Sequence, residues 1–163
     1  MELNHYDIED LLLTAIKSEV ESKDFYQKLV KRTQNGLLQD KLNFLANEEE
    51  KHRSFIEEIF MNHFPGKEIN LPNETAVPLP RIEYTEDTAI SNLLGQAMQA
   101  EMAASEFYKS LSERFENGSK IQNTLKYFAD MEVGHFKILE MEKESMERFE
   151  EGDVYWPMVN IGP

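Results

Sequence analysis

The chain has 163 residues, 40% hydrophobic and 29% charged, with no cysteine and a formal net charge of −14; this is the size of one soluble globular domain with room for a real core, spanning 1–163. The negative charge argues against nucleic acid and anionic membrane as partners, and the lack of thiols excludes disulfides, thiolate metal sites and iron–sulfur clusters. The acidic start MELNHYDIED has no apolar signal region, and no apolar run approaches the ~18 residues of a membrane span, so the sequence reads as cytoplasmic.

Residues 8–34 carry Ile8, Leu12, Ala15, Ile16, Tyr26, Leu29 and Val30 at helical spacing on one face. Asn35-Gly36 then reads as a helix stop and turn. A second helix is predicted over 37–63, with Leu38, Leu42, Leu45, Ile56, Ile59 and Phe60 as its stripe. The stretch 64–86 holds four of the six prolines (Pro65, Pro72, Pro78 and Pro80) and reads as a long crossover. A third helix is predicted over 87–117, with Ile90, Leu94, Ala97, Met98, Tyr108 and Leu111 inward. Asn117-Gly118 breaks it. The fourth covers 119–149, with Ile121, Leu125, Phe128, Phe136, Leu139 and Met146 inward. The tail, 150–163, lacks helical periodicity.

The two halves repeat. A shift of 82 matches Ala15 with Ala97, Glu19 with Glu101, Phe25 with Phe107, Tyr26 with Tyr108, Leu29 with Leu111, Arg32 with Arg114, and Asn35-Gly36 with Asn117-Gly118. A shift of 83 lays FLANEEEKH (44–52) on YFADMEVGH (127–135), so Glu49 meets Glu132 and His52 meets His135. The chain is therefore an all-α protein built from a duplicated helical hairpin. Helices ~40 Å long at 1.5 Å per residue and a crossover able to span ~70 Å make a four-helix bundle with one end-to-end connection.

Each helix also places one glutamate in the middle of its apolar stripe. Glu49 shares a face with Leu42, Leu45, His52, Ile56 and Phe60, whereas Glu48 and Glu50 lie ~100° to either side, at the solvent edge. Glu132 falls among Leu125, Phe128, His135 and Leu139, Glu19 among Leu12, Ala15, Ile16 and Tyr26, and Glu101 among Leu94, Ala97, Met98 and Tyr108. Four buried carboxylates oppose one another's ionisation. Two divalent cations would neutralise them, with His52 and His135 as nitrogen ligands. Oxygen and imidazole donors without thiolate suit iron or manganese, and zinc is also accommodated. A third Glu-x-x-His, Glu2 to His5, lies outside any apolar face and is not a site. His63 reads as a surface or capping residue. Tyr26 and Tyr108 have two open readings: plain core aromatics, or hydroxyls that support the glutamates one or two turns away.

At SEVESKDFY, LANEEEKH, AEMAASEFY and ADMEVGH the chain resembles the rubrerythrin branch of the ferritin-like di-iron carboxylate proteins, over roughly residues 8–149. The resemblance implies a ferritin-like bundle, often dimeric, here a homodimer. It implies two iron ions, with Glu19 and Glu101 as terminal ligands, Glu49 and Glu132 as bridges, and His52 and His135 as one nitrogen ligand per iron. It implies a non-haem di-iron oxidoreductase that reduces hydrogen peroxide or dioxygen; iron binding or ferrous-iron oxidation is the alternative. Two departures stand out. Typical rubrerythrins end in a four-cysteine rubredoxin domain, so electrons here would come from an external donor such as a rubredoxin-type protein. The family's extra glutamate, one turn past the first ligand of the third helix, is matched by Ala104, which favours a symmetric six-ligand site.

Overall fold

The computed structural model describes residues 1–152. Four helices follow in order: α1 (Ile8–Arg32), α2 (Gly36–His63), α3 (Ile90–Ser112) and α4 (Lys120–Gly152). No strand occurs among the described residues. α1 packs along α2 and α3 along α4 as hairpins, while α1 meets α3 and α2 meets α4 more sparsely. The result is a four-helix bundle of ferritin-like connectivity, with α2 and α3 joined by the crossover.

The helix boundaries depart from the sequence reading in instructive places. Asn35 does not close α1; it opens α2. Its side-chain oxygen accepts from the backbone N–H groups of Leu37 (3.1 Å) and Leu38 (3.2 Å), an N-cap that satisfies two of the helix's free donors. Gly36 is the first residue of α2 and has ordinary negative φ, unlike Gly118, whose φ is +78°. The free carbonyls at the end of α1 are met by Gln39, whose amide donates to Val30 O (3.2 Å) and Thr33 O (2.8 Å).

α3 is shorter at both ends than its apolar pattern suggests: backbone turns close its end (Arg114 N–H to Leu111 O, Phe115 N–H to Ser112 O), and duplicated arginines clasp the segments before α3 and α1. Arg32, at the end of α1, donates to the carbonyls of Thr85 and Thr88 just before α3. Arg114, just past α3, donates to Leu3 O (2.5 Å) and Tyr6 O (2.9 Å) just before α1. The two clasps run α1 and α3 antiparallel and repeat the same contact at opposite ends of the bundle. α4, by contrast, continues three residues beyond 149, so Glu150–Gly152 are helical rather than part of the tail. The rest of the expected tail, 153–163, lies outside the described residues.

The apolar interior is divided in two. One cluster joins Leu11, Leu12, Ile16, Ile56, Phe60, Phe107, Leu111 and Leu125. The other joins Phe25, Leu29, Leu38, Leu42, Leu45, Leu93, Leu94 and Leu139. The crossover buries Val77 against the first and lays Ile82 and Tyr84 on the second, so it runs the length of the bundle. Between the two clusters lie the polar residues of the next section.

Candidate metal centre

Glu19 from α1, Glu49 and His52 from α2, Glu101 from α3, and Glu132 and His135 from α4 meet at the waist of the bundle, each at most 3% exposed. Their donor atoms fall into two overlapping sets, Glu19–Glu49–His52–Glu132 and Glu49–Glu101–Glu132–His135. Within each set the atoms lie within 4.8 Å of one another. The three-residue spacing of each Glu-x-x-His puts its carboxylate and imidazole on one helix face. The repeat then turns the two faces toward each other.

Glu49 and Glu132 are shared, and the distances show how. His52 Nδ1 is 2.9 Å from Glu132 Oε1 and 3.5 Å from Glu49 Oε2. His135 Nδ1 is 2.8 Å from Glu132 Oε2 and 3.4 Å from Glu49 Oε1. Each shared carboxylate therefore turns one oxygen to each half. Glu19 and Glu101 stand outside this pair, 3.8 Å from His52 and His135 respectively. The imidazoles are stacked 5.8 Å apart, and Phe128 lies against His52 at 4.1 Å.

Both tyrosines support the glutamates, but across the bundle rather than along their own helices. Tyr26 on α1 donates to Glu101 on α3, and Tyr108 on α3 donates to Glu19 on α1. The repeat that pairs Tyr26 with Tyr108 is thus also a contact between halves.

The electrostatics divide the carboxylates into two kinds. Burial, with the charge of Glu49 next, pushes the Glu19 and Glu101 carboxyls well above the usual range. Burial also opposes ionisation of Glu132, but the hydrogen bond to His135 and the nearby His52 ring hold it down at about 2. Burial and the charge of Glu132 resist ionisation of Glu49, and the two imidazoles beside it leave it lowered. For His52, burial disfavours the cation, yet Glu132, Glu19 and Glu49 push it up to about 12, and His135 is raised in the same way. Burial and the nearby carboxylates raise both tyrosines, so their hydroxyls stay protonated. The shared carboxylates are thus the pair favoured as anions, beside two imidazoles favoured as cations, while the outer pair is favoured as acids.

That balance leaves polar atoms unmet. Glu49 Oε1, Glu132 Oε1 and both ring nitrogens of His52 are buried without a hydrogen-bond partner, as is His135 Nε2. A buried polar atom left unsatisfied costs about 1–3 kcal/mol. These atoms and the all oxygen-and-imidazole donor set fit two first-row divalent ions.

The rubrerythrin family model matches residues 10–93 and again 92–155, so nearly all of the chain is matched in two successive copies. The chain belongs to the rubrerythrin family. A solved structure of a hypothetical protein from Pyrococcus furiosus is similar to it, with 35% identity, 88% of this chain and 92% of that chain covered, and a TM-score of 0.78. No curated protein matches. The double match is the hairpin repeat seen from outside. Within this rubrerythrin bundle, Ala104 and its repeat counterpart Ser22 are half-buried, and neither adds a carboxylate to the six.

Several residues behave differently from the sequence reading. Glu48 is buried, at 8% exposure, rather than at the solvent edge, and is covered by Lys51 at 2.5 Å. Its repeat counterpart is Met131, which hints that this position is half inside. Glu50 instead joins Lys23 (2.8 Å), Arg53 and Glu57 in a charged network over the α1–α2 seam. Lys23 of α1 crosses the seam to Glu50, and Arg53, one residue past His52, holds Glu50 from within α2, roles the helical pattern does not reveal. Glu2 and His5 are exposed, and His63 is exposed with its ring nitrogen 3.0 Å from Ile59 O; all three lie away from the centre.

Proposed function

We propose that this rubrerythrin-family protein is a non-haem di-iron oxidoreductase that reduces hydrogen peroxide at the bundle waist, in the cytoplasm, with electrons from an external donor. Glu19, Glu49, His52, Glu101, Glu132 and His135 are its iron ligands, with Glu49 and Glu132 bridging. The observation that carries this is the pair of shared carboxylates, each with one oxygen toward either histidine. When bound, two ferrous ions supply one electron each, the pair that a peroxide O–O bond takes up on cleavage.

The chain's own groups set the conditions. The four carboxylates balance the charge of two divalent ions. Tyr26 and Tyr108 fix the outer carboxylates and remain hydrogen-bond donors. The apolar clusters on either side keep bulk water from the waist. A rubredoxin-type protein or a small reductant returns the electrons. Association as a homodimer is part of the proposal.

The same centre would also oxidise ferrous iron as cargo, and one experiment separates the two roles. Protein loaded anaerobically with ferrous iron is mixed in stopped flow with peroxide and, separately, with dioxygen. Faster oxidation by peroxide is expected. Preference for dioxygen with mineral formation would give the iron-handling role instead. Loading tests the ligands: Glu49→Gln, at a shared position, is expected to weaken both metals, whereas Glu19→Gln weakens one. Two metals bound undiminished in Glu49→Gln would overturn the assignment.

A further inference from the structure

A cavity of about 310 Å³ lies on the opposite side of the α1–α3 seam from the waist, roofed by residues 73–84 of the crossover. That volume is at the lower end of small-molecule sites. Its lining is unlike the rest of the surface. In a chain of net charge −14, it gathers the cations Lys17, Lys28 and Arg81 against the anions Glu21 and Asp24. Lys28 and Arg81 are exposed and stand at the rim, while Phe25 is buried and forms part of the floor. Tyr84, half-buried with Arg32 over its ring at 5.8 Å, closes one side. Lys17 is paired with Glu21 (2.7 Å), and Glu21 and Asp24 are exposed as well, so the cavity offers aromatic faces within and a rim of both signs on which Lys28 and Arg81 are the exposed cations.

The floor abuts the metal centre from behind. Ser18 and Ala100 line it, and each is the chain neighbour of an outer carboxylate, Glu19 and Glu101. Phe25 is in edge contact with Tyr26 at 5.5 Å between ring centroids, and the Tyr26 hydroxyl donates to Glu101. The repeat counterparts Gln99, Ala103 and Glu106 line a different cavity on the α3–α4 side, without crossover residues over it, and Lys17 and Lys28 are replaced in the second half by Gln99 and Ser110.

We propose that this cavity binds a reduced flavin nucleotide, ring inward and phosphate at Lys28 and Arg81, as the electron donor of the centre. The inference rests on the oxidoreductase reading. Phosphate and a flat aromatic ring match the cations and the aromatic walls. A dihydroflavin suits the chemistry better than a dihydronicotinamide, because it can release electrons singly, whereas the nicotinamide gives a hydride. In the net reaction the dihydroflavin loses two electrons and two protons and becomes oxidised flavin. The peroxide O–O bond breaks, takes up those electrons and protons, and leaves two waters.

The test uses the full chain loaded with zinc, which is redox-inert, and reads quenching of the fluorescence of oxidised flavin mononucleotide. Saturable binding is expected, weakened at least tenfold in the double variant Lys28→Glu/Arg81→Glu. Both residues are exposed and outside the metal set. Riboflavin, lacking phosphate, should bind the wild type more weakly and be indifferent to the double variant. Ser22→Trp, which fills the floor, should abolish binding of both. Absence of saturable binding at millimolar flavin overturns the proposal, as does equal affinity in wild type and double variant. Binding of reduced nicotinamide nucleotide in preference to flavin also overturns it. Peroxide oxidation of the ferrous-loaded wild type, measured alongside, separates the two readings. If that oxidation is normal while flavin fails to bind the wild type, only the donor site falls. If flavin binds but the ferrous protein ignores peroxide, the function falls and the binding site stands.

Discussion

Tyr26 and Tyr108 each reach the glutamate of the other half, and that crossing makes a residue-scale prediction. Tyr26→Phe removes the donor to Glu101 and should weaken the metal position shared with His135 by about 10–100-fold, the usual cost of losing a supporting hydrogen bond. Tyr108→Phe should do the same at the Glu19–His52 position. Zinc titration should show one strong and one weakened site in each variant, and chemical shifts of the two imidazoles should tell which. Had each tyrosine served its own helix, the pattern would be reversed. The sequence made the six polar residues legible, because a glutamate inside an apolar stripe conflicts with burial unless something answers its charge. It left the tyrosine pairing open, since helical periodicity locates a side chain on a face but says nothing of which neighbouring helix the face meets. Glu48 shows the same limit: one step from Glu49 should be the solvent edge, yet the Lys51 side chain folds over it.

At the scale of elements, two identical Asn-Gly pairs do different work. Gly118 has φ +78°, a conformation that costs a side chain roughly 1 kcal/mol or more. Gly36 has ordinary φ at the start of a helix, and a methyl added there would meet open space. Gly118→Ala should therefore destabilise by about 1 kcal/mol, while Gly36→Ala should be neutral or stabilising by about 0.5–1 kcal/mol. Asn35→Ala, which removes the cap of α2, should cost about 1 kcal/mol. Urea melts of the three variants check this ordering; equal costs at both glycines would contradict it. The helices themselves were legible from their stripes and breaks. The start of α1 and the end of α2 were legible too; the ends of α3 were not, and just before its start Thr85 and Thr88 give their carbonyls to Arg32, as Leu3 and Tyr6 give theirs to Arg114 before α1. Those arginines were visible as a repeated pair, but their partners lie 53 to 111 residues away in the chain.

Over the whole molecule, metal binding is an exchange of cations for protons. Without metal, the surrounding carboxylates favour the charged forms of His52 and His135, and burial favours the protonated forms of Glu19 and Glu101. Two divalent ions need all four carboxylates ionised and both imidazoles neutral, so loading should release up to about four protons, one each from those residues. Ligand titration in weak buffer with a pH indicator counts them; release of fewer than about two would contradict the charge balance. The sign for stability follows. The His52 contribution to the metal-free fold is full below its ordinary value of 6.5 and lost as pH rises toward about 12. Raised Glu19 and Glu101 work in the same direction, while Glu132, held at about 2, matters only as pH falls below 4.5. The metal-free protein thus weakens between pH 6 and pH 8, where protons also compete less for the ligands. Saturating metal, at a thousandfold excess over Kd, stabilises by about 4 kcal/mol, and the gap in melting temperature between loaded and metal-free protein should be wider at pH 8 than at pH 6. Equal melting temperatures at both pH values would mean that the cluster is not a metal site.

The sharing of Glu49 and Glu132 between the two histidines has a bearing on descent. One hairpin carries one outer glutamate, one shared glutamate, one histidine and one tyrosine, and no metal position is complete from it alone. Two copies of a single hairpin, related by a twofold axis through the waist, would supply every one of these groups, with each tyrosine already reaching the other copy. The ancestor of the fold can therefore have been a short gene whose product held its metals only as a symmetric pair. Fusion through the proline-rich crossover then freed the two copies to diverge, as Lys17 and Gln99, or Lys28 and Ser110, have done.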